Sequence, residues 1–327
     1  MDNRNKRDIH IIKYYSAVVT ISNGQVIKVT DPTLMFCPLA KHLYKDFKNI
    51  KNNDQEAIKQ AIKGAIASKI RDYGLFTEQR QFNFPAVSIP YGASEMLRYA
   101  LKKKAIDAAV VVCDGAGTVI TSRPALVQGI GARMNSLLLT TPIPGIIKKL
   151  KTAGGQVIFK DAQIDQYQGV KKAIAAGYKT IAVTISGDAV EELKELCLLE
   201  KRNQVKIVSL VLCTTGITND KIAMIRDYAD LVWSCASLDI RRLIGPVAMI
   251  QLSQLIPVFV LTSQGVNFVS AYATEKKLIN KLDFNKQYLI SHEYGGQGVN
   301  LGGFRAYIRE SHLPVSKDKA PSFTDQD

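Results

Sequence analysis

Residues 107–145 read DAAVVVCDGAGTVITSRPALVQGIGARMNSLLLTTPIPG. The run Ala108–Val112 has the unbroken apolar character of a strand covered on both faces. It breaks into Cys113-Asp114-Gly115-Ala116-Gly117-Thr118, and a second glycine pair follows at Gly129 and Gly131, beside Arg133 and Asn135. A thiol, a carboxylate and an unhindered backbone at a strand's C-terminal end occupy the position where open α/β sheets bind ligands.

Downstream the alternation becomes regular. Apolar runs at Val157–Phe159, Thr180–Ile185, Val205–Cys213, Leu231–Cys235 and Val258–Leu261 read as strands. Helical patterns separate them at Ile146–Ala153, Gly169–Ala176, Ala189–Lys201, Asp220–Tyr228 and Ile240–Leu255. Strands alternating with helices of this length predict βαβ units and a doubly wound, mostly parallel sheet with helices on both faces. Right-handed crossovers bring the strand C-termini to one edge. That edge would carry Cys113-Asp114-Gly115, Ser186-Gly187-Asp188, Cys213-Thr214-Thr215-Gly216 and Ser234-Cys235-Ala236-Ser237.

Upstream, residues 8–31 form an N-terminal β-hairpin: Tyr15–Ile21, a turn at Asn23-Gly24, then Val26–Val29. From Asp54 to Tyr73 apolar residues recur at helical spacing, with Gly74 as the terminator. Tyr91-Gly92-Ala93-Ser94-Glu95 opens a helix through Leu101, with Ser94 in a capping position. The expected organisation is a single α/β domain over 1–281. A glycine-rich extension follows over 282–327, its last residues disordered.

Composition bounds the function. The chain of 327 residues is 46% hydrophobic and 22% charged, which suits a globular core. Its net charge of +14 favours anionic ligands. The lysines are scattered and no nucleic-acid-binding motif accompanies them, so nucleic acid is not the expected partner. Five cysteines, without a signal peptide, indicate a reducing cytoplasm and free or metal-bound thiols. The most apolar run, Leu243–Leu261, is interrupted by Pro246, Gln251, Gln254 and Pro257, which argues against a membrane span.

Several chemistries compete. Cys37, Cys113 and Cys235 each sit at an element end, and thiolates of this kind hold iron–sulfur clusters or zinc. No C-x-x-C pair is present, and free cysteine is equally at home as a buried apolar residue. Gly115, Gly117 and Thr118 offer amides to an anion, as do Thr214, Thr215 and Gly216 ahead of a helix. Neither loop is a Walker or complete dinucleotide motif, and a strand-to-helix turn needs the same glycines. Acid–base candidates are Asp114, Glu95, Asp165 and Asp188, and Arg133, Arg241 and Arg242 are candidate anion clamps. His42 lies five residues from Cys37, a position equally suited to a surface residue. None of these patterns fixes an enzymatic reaction.

Phe36-Cys37-Pro38-Leu39, Tyr91-Gly92-Ala93-Ser94-Glu95, Cys113–Val119, Val127-Gln128-Gly129-Ile130-Gly131, Ile164-Asp165-Gln166, Gly169–Ala173, Thr214-Thr215-Gly216 and Cys235-Ala236-Ser237 follow one another in the order of a known pattern. On these segments the chain resembles the methanogenesis marker 8 family, which is uncharacterised in function. The resemblance implies a cytoplasmic protein of anaerobic metabolism. It further implies a role in assembly, repair or insertion of a metal or iron–sulfur cofactor, with Cys37, Cys113 and Cys235 at the family's cysteine positions. Relatives often carry a further cysteine near position 74, where this chain has Leu75-Phe76-Thr77. A cluster here would then have three cysteines and an open or non-thiol position. Two alternatives remain at this point. One is a metal-free enzyme or binding protein for a small phosphorylated or carboxylated metabolite. The other is a non-catalytic subunit of a larger complex that uses the C-terminal arm.

Overall fold

The computed structural model describes residues 8–34, 37, 47, 50, 54–83, 90–273, 278, 282–293 and 295–316. His42, the neighbours of Cys37 and the tail after Ser316 lie outside them. In chain order the elements begin with β1 His10–Tyr14, β2 Ala17–Ser22, β3 Gln25–Val29, α1 Gln55–Tyr73, α2 Ala93–Lys102, β4 Ala108–Cys113, β5 Gly117–Thr121 and α3 Pro124–Gly131. Next come β6 Ser136–Thr140, α4 Pro144–Thr152, β7 Gly155–Val157, α5 Gln166–Ala175, β8 Thr180–Ser186, α6 Glu192–Asn203, β9 Lys206–Leu212, α7 Asn219–Tyr228 and β10 Leu231–Trp233. The chain continues with α8 Leu238–Ile244, β11 Ile250–Leu252, β12 Val258–Val260, α9 Ser263–Tyr272, β13 Tyr288–Ser291, β14 Gln297–Leu301 and β15 Phe304–Glu310.

Two compact units result, each assembled from two stretches of chain. The first comprises residues 1–84 and 110–169, the second 85–109 and 170–327. In the first unit an antiparallel sheet has the order β3-β2-β1-β6. The strands β1 and β2 alternate buried and half-buried residues, as expected of a sheet with one face on a core. That core includes Ile12, Val19 and Ile21 from the sheet and Ile58, Ile62 and Ile66 from α1. The helix has sequence-encoded ends. Asp54 accepts from Ala57 N at 2.9 Å, and Gly74 closes the helix in the left-handed conformation at φ 67°. A Cβ on Gly74 would lie 2.4 Å from the backbone of Gln79, so only glycine permits the chain to fold back there.

The Asn23-Gly24 turn is present, with φ 49° and 69°. A second tight turn, Tyr15-Ser16, precedes it at φ 53° and 64° and creates β1. Its residues carry no turn signature. The Ser16 hydroxyl holds that region by accepting the amides of Thr33 and Leu34 at 2.9 and 2.8 Å.

In the second unit the strand order is β14-β15-β13-β11-β12-β10-β9-β8. The expected βαβ core exists: β8, β9 and β10 are parallel neighbours. The sheet is nonetheless mixed rather than mostly parallel. Strand β12 runs antiparallel to both β10 and β11, and β15 runs antiparallel to β13 and β14. The helix expected over Ile240–Leu255 ends at Ile244. Gly245-Pro246-Val247 form a short 3-10 turn, and Ile250–Leu252 is strand β11. Proline lacks the amide a helix needs, and the connection Ser253–Pro257 is too short for a crossover helix, so β11 and β12 pair antiparallel.

The glycine-rich extension is part of this sheet. Strand β13 lies parallel to β11, and Leu289, Ile290, Val299, Leu301 and Ile308 are buried. Gly302 donates to Tyr272 O at 2.9 Å, while its own carbonyl accepts the Tyr99 hydroxyl at 2.9 Å. Full burial of each such aliphatic side chain is worth about 1.5–3 kcal/mol, against a domain's net stability of about 5–15 kcal/mol. Deleting residues 282–327 is therefore expected to abolish cooperative unfolding of the second unit, read by thermal circular dichroism. An unchanged melting midpoint would show the extension to be dispensable.

Candidate functional site

In the second unit the loops following β8, β9 and β10 interlock at the C-terminal ends of those parallel strands. The Thr214 hydroxyl donates to Trp233 O at 2.6 Å, joining the ends of β9 and β10. Ala236 N donates to Thr215 Oγ1 at 3.4 Å. Gly187, after β8, packs so closely that a Cβ there would sit 2.9 Å from Cys213 O. Buried Arg241 secures the outer loop by donating to Cys235 O at 3.4 Å, Leu255 O at 3.2 Å and Ser316 Oγ at 3.2 Å. Its guanidinium is thus a brace within the loop, while Arg242 is exposed.

Two residues on this edge stand out. Cys213 and Cys235 follow neighbouring strands, and both adopt left-handed backbone, at φ 59° and 48°. An L-residue other than glycine or asparagine enters that region at a cost of about 1–2 kcal/mol. Both cysteines are half-buried rather than sealed. Nearby, Gly216 lies at φ 73° with open space where a Cβ would be. Helix α7 begins three residues later, with no side-chain cap from Thr218.

The Cys113–Thr118 segment, in the first unit, has a different role. It is the turn joining β4 to its neighbour β5, not a strand-to-helix loop. Its amides are engaged internally: Gly115 N donates to Thr140 Oγ1 at 2.7 Å, Ala116 N to Cys113 O at 3.2 Å and Thr118 N to Gln163 O at 3.0 Å. A Cβ on Gly117 would lie 2.2 Å from Ala162 O, so that glycine serves a close backbone approach. Asp114 is fully buried and ion-paired with equally buried Arg80 at 3.0 Å. Its second oxygen accepts Phe76 N at 2.7 Å. Cys113 is fully buried, and burial, followed by the adjacent Asp114 charge, pushes its thiol pKa well up.

The other candidates are equally committed to structure. Asp165 accepts Gln168 N at 2.8 Å, as a residue capping the start of α5. Glu95 is buried and accepts the Ser94 hydroxyl at 2.9 Å; the residue in the cap position of α2 is Gly92, not Ser94. Arg133 lies over the Tyr73 ring at 5.6 Å. Cys37 is half-buried against the first unit's core. Among the described residues no three His, Cys, Asp or Glu side chains are grouped to hold a metal ion.

Lys69, not singled out from the sequence, is a buried charged residue of the first unit with a strongly shifted pKa. It is 3% exposed. Its ammonium donates to Asn135 Oδ1 and lies 4.9 Å from the Tyr14 ring centre. Burial first, and the Arg133 charge second, pull its pKa down to about 7. The signal was present in the sequence: 58, 61, 62, 65, 66 and 69 form one helical stripe, and the lysine occupies its last position. The unfolded chain keeps this proton up to about pH 10.5, the ordinary lysine value, whereas the folded chain releases it near 7. Stability should therefore rise with pH across that window, by something on the order of 3–5 kcal/mol, and be flat in this respect below it. Lys69→Met should be more stable than the parent at pH 7 and lose that rise, as measured by urea midpoints across pH. An identical pH dependence in the variant would exclude Lys69 as its source.

Comparison with known proteins adds identity without chemistry. Residues 10–274 match the model of a family described as an uncharacterized protein conserved in archaea, DUF2099. Over 261 residues the chain is 41% identical to Uncharacterized protein MJ0054 of Methanocaldococcus jannaschii, covering 79% of this chain and 88% of that protein. No solved structure matches this chain. No helix among the described residues is long and apolar enough to cross a membrane. The chain belongs to the DUF2099 family of uncharacterized archaeal proteins.

Proposed function

We propose that this protein handles a metal or iron–sulfur cofactor as cargo, during its assembly, repair or insertion, with Cys213 and Cys235 as the thiols that receive it. The observation that carries this reading is the pair of left-handed, half-buried cysteines after neighbouring parallel strands. Backbone strain persists only where surrounding structure enforces it, and it concentrates at functional positions. Here the enforcing contacts are the Thr214–Trp233, Thr215–Ala236 and Arg241–Cys235 hydrogen bonds. Thiolates select soft metals. A pair of thiols leaves coordination positions for the cargo's other ligands, which suits transfer better than permanent storage. Cys113, sealed and with a raised thiol pKa, is assigned to packing in this reading.

Anaerobic titration of the full chain with Co²⁺ should develop a thiolate-to-metal charge-transfer band. Cys213→Ser and Cys235→Ser should each abolish it, while Cys113→Ser leaves it intact. Absence of the band in the parent, or its survival in both edge variants, would refute the reading.

A second reading rests on a separate observation, the open Gly216 and the side-chain-uncapped start of α7. Unblocked amides at a helix start favour anions. In this reading Thr214, Thr215 and Gly216 bind a small phosphorylated or carboxylated metabolite without a metal. Inorganic phosphate added to metal-free protein should then shift the amide resonances of Thr215, Gly216 and Asn219 saturably. Sodium chloride at matched ionic strength should not; equal shifts with both salts would remove the anion site.

A further inference from the structure

A separate constellation lies in the first unit, at a cavity of about 350 Å³ whose lining includes Asp8, Asn23, Phe76, Glu78, Gln79 and Ile143. Behind Asp8 stands His10, fully buried on β1. Its Nδ1 is 2.6 Å from Thr140 Oγ1 on β6, and the Asp8 carboxylate lies against its Nε2. Thr140 Oγ1 also accepts Gly115 N–H at 2.7 Å, which fixes the threonine beside the ring. Burial, the largest influence on His10, lowers its pKa and keeps the ring neutral, against the opposing pull of Asp8 and Asp114.

The result is an oriented carboxylate. Asp8 Oδ1 lies against His10 Nε2 and receives the Thr141 hydroxyl, the latter at 3.0 Å. Oδ2 has no partner among the described residues, on a side chain that lines the cavity and is 26% exposed. Among the described residues no lysine, arginine or histidine lines the cavity, although the chain carries a net charge of +14. Phe76 is also among the lining residues, and its backbone is held left-handed at φ 61°. A bulky residue in that conformation is strained and is fixed here by the Phe76 N to Asp114 bond. A carboxylate oxygen and amide oxygens are groups that recognise an ammonium ion. A bare metal ion is a poorer fit, since three or more metal-ligating side chains are not grouped anywhere among the described residues.

We infer that Asp8, held against His10 and by the Thr141 hydroxyl, anchors a binding site for a small organic ammonium ion in this cavity. The site belongs to neither reading of the cysteine edge. Methylammonium and ethanolammonium chloride, titrated into the full chain, should shift the amide resonances of Asn23, Gly24 and Thr77 saturably. Asp8→Asn should weaken that binding about 10- to 100-fold, the loss expected for a charged hydrogen bond. Asp8→Glu, which keeps the charge but displaces the oxygen, should weaken it less, and Cys213→Ser should leave it unchanged. No saturable shift in the parent, equal shifts with sodium chloride, or undiminished affinity in Asp8→Asn would each overturn the assignment.

Discussion

The first unit depends on one buried ion pair. Arg80 and Asp114 are both fully excluded from water, and such a pair is tolerated only when its remaining donors and acceptors are satisfied. They are. Arg80 also donates to Gly129 O and Ile130 O, each at 3.1 Å, and to Gln81 O. Asp114 takes the Phe76 amide. One ion pair thereby ties the β4–β5 turn, the chain after α1 and the end of α3 together. Removing either partner would leave a buried charge, a cost of about 3–5 kcal/mol. The same pair positions Phe76 and, through the Gly115 turn, Thr140 beside His10.

Features legible in the sequence were those whose cause is local. Asp54 and Gly74 bracket α1 because capping and left-handed termination act over three or four residues. Asn23-Gly24 announced its turn for the same reason. The Tyr15-Ser16 turn did not, because its left-handed residues are imposed by pairing of β1 with β2 and by the Ser16 hydroxyl. Strand β6 was hidden within the opening quoted stretch, since its identity rests on pairing with β1, more than a hundred residues away. The periodicity of 240–255 suggested one helix, yet Pro246 and the short return to β12 decide otherwise.

The candidate site was legible as an edge and illegible as a ligand set. The parallel strands β8, β9 and β10 did bring Ser186-Gly187-Asp188, Thr214-Thr215-Gly216 and Cys235 into one group of loops. What a sequence cannot display is burial at a strand end. Cys113 and Cys213 occupy similar positions after apolar runs, but the first is sealed beneath a tight turn and the second is left half-open. Thiol chemistry follows that difference, because burial in apolar surroundings raises a thiol's pKa and withholds the thiolate.

Both units solve the problem of joining distant segments with a buried carboxylate, though in different ways. In the second unit Asp230 accepts Ser209 N at 2.8 Å and Ser209 Oγ at 3.1 Å, and it also takes the Thr262 hydroxyl. Burial raises its pKa, opposed by those hydrogen bonds. Among the described residues no cation faces it in the way Arg80 faces Asp114, and neutral donors bind β9, the start of β10 and the cap of α9. This junction joins the middle of β9 to the start of β10, away from Cys213 and Cys235, which follow the two strands. Fixing the strands there leaves the loops at their C-terminal ends as the place where backbone strain can be held. In the proposed reading, that division of labour gives the left-handed cysteines to the function of this unit and the carboxylate to its stability.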